Sequence, residues 1–93
     1  MVNDSRLAEL AKAGDATAFD ALARSTRPWL YGLCFHLLRD AETADDLVQE
    51  TLIAAFRGIG QLREPAQVRG WLARIAVNTC RMHLRRLAGQ PAT

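Results

Sequence analysis

The stretch PAQVRGWLARIAVNTCRMHLRRLA, residues 65–88, decides the fold because its apolar residues recur at helical spacing. At about 100° per residue, one side of the predicted helix carries mostly apolar residues, the last two at its edge: Val68, Leu72, Ile75, Ala76, Thr79, Trp71 and Met82. Another side carries the arginine stripe, defined here as Arg74, Asn78, Arg81 and Arg85. Guanidinium and amide groups in a row suit phosphates and base edges, so this stripe favours nucleic-acid binding. A solvated charged face is the alternative.

Charge is distributed unevenly along the chain. The net charge is only +2, but residues 65–93 hold five arginines and no acidic residue. Residues 1–64 hold seven basic and ten acidic residues. This asymmetry favours two partners of opposite sign over a general attraction to nucleic acid.

Length and composition are those of a single soluble domain. The chain has 93 residues, of which 49% are hydrophobic and 24% charged. The N-terminus, MVNDSRLAEL, lacks the pattern of a secretion signal, and no uncharged apolar run approaches the roughly 20 residues that cross a bilayer. We therefore expect a cytoplasmic protein that does not insert into membranes.

The N-terminal part of the chain predicts two helices. Asp4 or Ser5 can cap a short first helix, which Gly14 ends. Asp15 can cap a second helix, and Pro28 within it predicts a kink or a break. No segment of the chain alternates between polar and apolar residues as a strand would. The predicted fold is therefore all-α, a compact bundle of about four helices.

The segment DAETADDLVQETLIAAF, residues 40–56, predicts a third helix with two different faces, capped by Asp40 or Thr43. Its predicted buried face is Leu47, Val48, Thr51, Leu52, Ala55 and Ile59. The opposite face carries the acidic stripe, defined here as Asp46, Gln49, Glu50 and Ile53. Acids and an amide around an exposed isoleucine favour a docking surface for a basic partner, and a solvated face is the equal alternative.

A loop and a linker complete the predicted organisation. The loop GIGQLREPA, residues 58–66, leads into the final helix, with Pro65 suited to its first turn. After Ala88, the composition GQPAT is that of a linker. We expect one domain over residues 1–88, and we expect residues 89–93 to begin a linker to a C-terminal domain that this chain does not contain.

Two motifs, DDLVQET at residues 45–51 and WLARIAVN at residues 71–78, together resemble the promoter-binding second region of bacterial sigma factors of the extracytoplasmic-function (ECF) group. The resemblance covers about residues 15–87. It implies the sigma factor region 2 fold and a role in transcription initiation rather than an enzyme activity, with no cofactor. Family proteins usually continue through a linker into a second helical domain that binds the upstream promoter element.

The resemblance implies two macromolecular partners, and a third that regulates them. The acidic stripe would bind the clamp coiled coil of the largest catalytic subunit of RNA polymerase, with Ile53 as the apolar centre of the contact. An anti-sigma factor would regulate the domain. The loop and the final helix would bind and open the promoter −10 element and hold its non-template strand. The implied DNA-binding residues are Gln61, Leu62, Arg63, Arg69, Trp71, Arg74, Asn78, Arg81 and Arg85.

Within that set, the resemblance implies different roles. The loop residues Gln61, Leu62 and Arg63 would form a pocket for an extruded base, although the family often carries an aromatic residue where Leu62 stands. Trp71 would lie near the junction of duplex and single strand. Asn78 would contact a base edge, since amides pair well with adenine.

Other readings of the sequence remain open. A helix-turn-helix repressor would bind closed duplex without polymerase. An interaction module would keep the polymerase contact without opening promoters. No phosphate loop, nucleophile elbow or pocket-forming carboxylate pair indicates an enzyme.

A metal site is weakly indicated. Cys34, His36, Cys80 and His83 number four potential ligands. On one helix, however, Cys34 and His36 diverge by about 200°. We therefore predict no metal site and two buried, reduced cysteines.

Overall fold

A computed structural model describes residues 3–89. These residues form four α-helices: α1 (Asp4–Lys12), α2 (Ala16–Leu38), α3 (Ala41–Gly58) and α4 (Val68–Leu87). Two short 3₁₀ turns, Ile59–Gln61 and Pro65–Gln67, connect α3 to α4. Residues 3–89 contain no strand, and the predicted all-α fold of four helices is confirmed.

The caps of α2 and α3 agree with the sequence. The side chain of Asp15 accepts a hydrogen bond from the backbone N–H of Ala18 at 3.0 Å. Asp40, rather than Thr43, caps α3, and its Oδ2 accepts from the hydroxyl and the backbone N–H of Thr43 at 2.5 and 2.9 Å. These two hydrogen bonds hold the pKa of the Asp40 carboxyl below its ordinary value of 3.8, and the bond from the Thr43 hydroxyl has the larger effect.

The predicted cap of α1 is wrong by at least one residue. Asn3 caps the helix, because its side chain accepts a hydrogen bond from the backbone N–H of Arg6 at 2.8 Å. The carboxylate of Asp4, which is also a good capping group, instead accepts hydrogen bonds from Ser25 and Arg69. Long-range contacts therefore decide between two equally suitable neighbours.

Pro28 does not break α2, which runs without interruption from Ala16 to Leu38. Pro28 is itself exposed. Leu22 and Leu30, on either side of it, are 1% and 0% exposed. Burial on both sides of the proline keeps the helix continuous despite the missing hydrogen bond.

The core lies around α2, which contacts the three other helices, and α3 also packs against α4. The predicted buried face of α3 is confirmed except that Ile59, just beyond the helix, is only partly buried. The largest of the fully buried side chains are Leu22, Leu30, Leu72, Val48, Thr26, Thr51, Cys34 and Cys80. This packing leaves one side of α3 and one side of α4 free.

The last helix ends shortly before the predicted linker. α4 ends at Leu87, and Gly89 has a φ of 76°, the left-handed conformation typical of a residue after a helix. The rest of the predicted linker lies outside the described residues. Over residues 3–89, no helix is both long enough and apolar enough to cross a membrane.

Candidate functional site

The arginine stripe lies on the exposed side of α4. All four of its residues are exposed. Within residues 3–89, none of their side chains forms an ion pair or a hydrogen bond with another group. At about 1.5 Å per residue, the stripe spans roughly 16 Å from Arg74 to Arg85. Three guanidinium groups along this length are therefore available to an anionic partner.

A cavity of about 450 Å³, the loop cavity, lies between the 3₁₀ turns and the first turns of α4. Its lining includes five of the predicted DNA-binding residues and two further polar ones: Gln61, Leu62, Arg63, Trp71, Arg74, Glu64 and Gln67. Its volume falls within the range of about 300–1,000 Å³ that is typical of small-ligand sites. Leu62 is only 3% exposed and belongs to the core, so it forms the cavity's floor instead of projecting towards a ligand.

Arg69 lies apart from the other predicted DNA-binding residues. It precedes Arg74 by five positions, which places it about 140° away around the helix axis. Its Nε donates to Oδ2 of Asp4 at 2.8 Å, and its guanidinium lies over Trp29, 5.2 Å from the ring centroid. Sequence reasoning missed this cluster, since no local pattern connects residues that are 65 positions apart.

The acidic stripe lies on the exposed side of α3. Asp46, Gln49 and Glu50 are exposed, and Ile53 is 45% exposed. Gln49 is held by α2, because Nη2 of Arg27 donates to its Oε1 at 3.2 Å. The predicted docking residues thus form one accessible surface.

Beside the acidic stripe, an apolar groove of about 600 Å³ runs between α2 and α3. Phe56 lines this α2–α3 groove and is 54% exposed, with its ring edge-on to Phe19 at a centroid distance of 5.2 Å. Sequence reasoning named Ile53 and missed Phe56. The signal was present, because Phe56 follows Ile53 by three positions on the same helix.

The two cysteines are buried, as predicted. Cys34 and Cys80 are 0% exposed and adjoin each other where α2 meets α4. Burial, followed by hydrogen bonding to Cys80, raises the pKa of the Cys34 thiol to about 12, and burial also raises the pKa of Cys80. His36 is exposed. In the described part of the chain, no three metal-binding side chains come together.

The family model Sigma-70 region 2 matches residues 22–89. The chain belongs to the sigma-70 region 2 family. It is 40% identical over 89 residues to the ECF RNA polymerase sigma factor SigM of Mycobacterium tuberculosis, an alignment that covers 96% of this chain and 45% of that protein. It is also 38% identical over 81 residues to the RNA polymerase sigma-H factor of Pseudomonas aeruginosa, covering 87% of this chain and 42% of that protein.

A third relative is the ECF RNA polymerase sigma-E factor of Haemophilus influenzae, 36% identical over 85 residues, which cover 89% of this chain and 43% of that protein. The resemblance to ECF sigma factors is confirmed. The chain spans less than half the length of these three relatives. No solved structure matches it significantly.

Region 2 therefore comprises α2 from Leu22 onwards, α3, the 3₁₀ turns and α4. Both stripes, the loop cavity and most of the α2–α3 groove lie within it. The first helix, α1, precedes the match.

Proposed function

We propose that this region 2 domain acts in transcription initiation by binding core RNA polymerase and the promoter −10 element at the same time. The acidic stripe binds the clamp coiled coil of the largest subunit, and α4 with the loop holds the non-template strand of the opened element. One observation carries the proposal: two exposed surfaces of opposite character lie on neighbouring helices of one small bundle. The action is binding and strand opening, without covalent chemistry.

The arginine stripe has the dimensions of a short single strand. Its length of about 16 Å corresponds to four or five nucleotides stacked at about 3.4 Å. Three phosphate contacts on single-stranded DNA predict that the logarithm of the association constant falls with the logarithm of salt concentration with a slope of about −2. Arg74 lines the loop cavity as well, so the stripe leads a strand directly to that cavity.

The loop cavity supplies favourable free energy that offsets the cost of strand opening. Extruding a base from a duplex costs a few kcal/mol of lost stacking and pairing. Stacking on an aromatic side chain returns about 1–3 kcal/mol per base. Trp71 borders the cavity and is half-buried, so one part of its ring is fixed by the core while another part is accessible to a base.

The acidic stripe and the α2–α3 groove suit a protein partner. Ile53 and Phe56 offer two exposed apolar side chains, and Asp46 and Glu50 bring negative charge beside them. A basic coiled coil would bury the apolar pair and compensate both carboxylates. An anti-sigma factor would inhibit the domain by covering one of these surfaces.

Two binding measurements on the 93-residue chain test the proposal. Selection from a pool of random single-stranded DNA should enrich a defined sequence, whose affinity should fall with salt at the slope given above. Pull-down of core RNA polymerase should succeed without DNA. Equal affinity for arbitrary strands would contradict promoter recognition, and a chain that fails to retain core polymerase would contradict the docking role.

The strand measurement also separates this function from that of a helix-turn-helix repressor. The proposed domain should prefer the selected single strand to the same sequence in closed duplex, because only the single strand delivers an unpaired base to the loop cavity. A repressor would show the reverse preference.

A further inference from the structure

The first helix, α1, packs against segments that line the loop cavity. α1 packs against both 3₁₀ turns, Ile59–Gln61 and Pro65–Gln67, which contribute Gln61 and Gln67 to the cavity lining. Ala8 and Ala11 of α1 are 0% and 7% exposed, and their small side chains allow a close approach between α1 and its neighbours. The shape of the loop cavity therefore depends on a helix that lies outside the region 2 match.

Asp4 is the polar link in this arrangement. Its Oδ1 accepts a hydrogen bond from Oγ of Ser25 on α2 at 2.8 Å. Its Oδ2 accepts from Nε of Arg69, the second residue of α4, also at 2.8 Å. The Arg69 guanidinium is held on another side by the Trp29 ring. One carboxylate thus connects α1, α2 and the start of α4.

The start of α4 needs such support, because its local sequence provides little. Gln67 precedes the helix without a side-chain capping bond. Gly70 stands in its first turn, where glycine disfavours a helix relative to alanine. Yet Trp71 and Arg74, which follow directly, line the loop cavity. Tertiary contacts must therefore hold these two side chains in position.

We propose that Asp4 is a positioning residue for base recognition, acting through Arg69 to hold the start of α4 and the 3₁₀ turns in the conformation that admits an extruded base. The proposal rests on the DNA-binding half of the proposed function. It also assigns to Arg69 an intramolecular contact with Asp4 in place of the direct DNA contact that the resemblance implies.

Hydrogen exchange on the free chain provides a test without DNA. Asp4→Asn keeps the size of the side chain and removes its charge. We expect amide exchange to become about two- to fivefold faster across residues 59–74, the gain that corresponds to losing a partly exposed ion pair. The matched control is Glu9→Gln, which removes the same charge from α1 by breaking the exposed Arg6–Glu9 ion pair, whose Nη1–Oε2 distance is 2.9 Å. The control should leave exchange in residues 59–74 unchanged.

Binding to an abasic strand tests the functional consequence. The probe is the selected single strand, compared with copies in which each base in turn is removed. The wild-type chain should lose affinity most at the position whose base enters the loop cavity. In Asp4→Asn, the loss of affinity caused by removing this base should be about two- to fivefold smaller, while the affinity for the abasic copy stays the same.

Arg69→Gln separates positioning from direct contact. If Asp4 acts through Arg69, this variant should reproduce both effects of Asp4→Asn. A direct phosphate contact by Arg69 would instead weaken binding of the intact and the abasic strand equally, and that outcome would overturn the proposal. Unchanged exchange in Asp4→Asn would overturn it too. A wild-type chain that binds no single strand contradicts the proposed function alone, and the exchange comparison then decides the role of Asp4.

Discussion

The exposed sides of α3 and α4 differ in what accompanies their charges. On α3, the carboxylates stand beside two large apolar side chains, Ile53 at 45% and Phe56 at 54% exposure. On α4, the exposed apolar side chains Met82 and Leu84, at 38% and 42%, flank the arginine stripe on opposite sides, about 160° apart around the helix axis. A folded partner can bury an adjacent pair of apolar side chains, whereas the phosphates of a strand are bound mainly by charge. The difference supports the proposed protein partner for α3 and the proposed nucleic-acid partner for α4.

The two sides also differ in how their polar groups are held. Gln49 in the acidic stripe accepts a hydrogen bond from Arg27, which favours one orientation of its side chain before a partner binds. The guanidinium groups of the arginine stripe have no such partner within residues 3–89 and can adapt to a strand. A preorganised surface suits a folded partner, because less side-chain entropy is lost on binding.

The largest expected effect comes from a change that damages both surfaces together. Leu30 is 0% exposed in the centre of the bundle, so Leu30→Ala should lower the free energy of unfolding by about 2–5 kcal/mol. Urea denaturation measures this loss. Polymerase and DNA binding should weaken in parallel. Leu87→Ala, the same change at a side chain that is 73% exposed, should stay within about 0.5 kcal/mol of the wild type.

A change confined to α3 should separate the two surfaces. Glu50→Arg reverses a charge in the acidic stripe and should cost about 2–5 kcal/mol in binding to core polymerase, leaving the affinity for the selected single strand intact. Glu9→Arg makes the same reversal on α1 and should affect neither. If Glu50→Arg weakens strand binding as well, the two surfaces are not independent.

A change confined to α4 should affect sequence discrimination alone. Asn78→Ala should reduce discrimination at one or two base positions by about 1–3 kcal/mol, because the variant loses an amide that can pair with a base edge. Competition among strands with single-base changes measures this reduction. Arg81→Gln is the contrast: it should weaken binding to all strands and reduce the salt slope by about 0.7. Unchanged discrimination in Asn78→Ala would remove that residue from the base-contacting set.

The smallest expected effect is on the pH dependence of stability, through the cap of α3, the helix that carries the acidic stripe. The pKa of Asp40 is depressed in the folded chain, so its contribution to stability is present above 3.8, its ordinary value, and is lost as pH falls through the lower folded value. Asp40→Asn should remove this part of the acid dependence of unfolding. An acid dependence of unfolding in Asp40→Asn equal to that of the wild type would contradict this role of the cap.

Most of the fold could be predicted from the sequence because its signals are local. Asp15 and Asp40 cap their helices by accepting hydrogen bonds from residues three positions later. Gly14 has a φ of 104°, a conformation that glycine favours and that suits the end of α1. The buried face of α3 follows from spacing alone. Of the kink or break predicted at Pro28, the break is absent, because burial of Leu22 and Leu30 opposes it.

The candidate site could be predicted only in part, since long-range contacts decide the rest. The exposure of the arginine stripe is a property of one helix and was predicted correctly. The burial of Leu62 and the contact of Arg69 with Asp4 depend on how the 3₁₀ turns and α1 pack, and no local pattern in the sequence predicts either. Asp4 carries no local mark of its role, because its partners Ser25 and Arg69 are 21 and 65 positions away.

The buried thiols of Cys34 and Cys80 make the native chain convenient for labelling. Both side chains are fully covered, and their raised pKa values keep them protonated at neutral pH, so maleimide dyes should not reach them in the folded state. A single cysteine introduced at an exposed position outside both stripes, such as Lys12 on α1, should therefore accept a fluorophore without removal of the natural pair. Distances between such a dye and a labelled DNA strand or polymerase arm would then report directly how the domain sits between them.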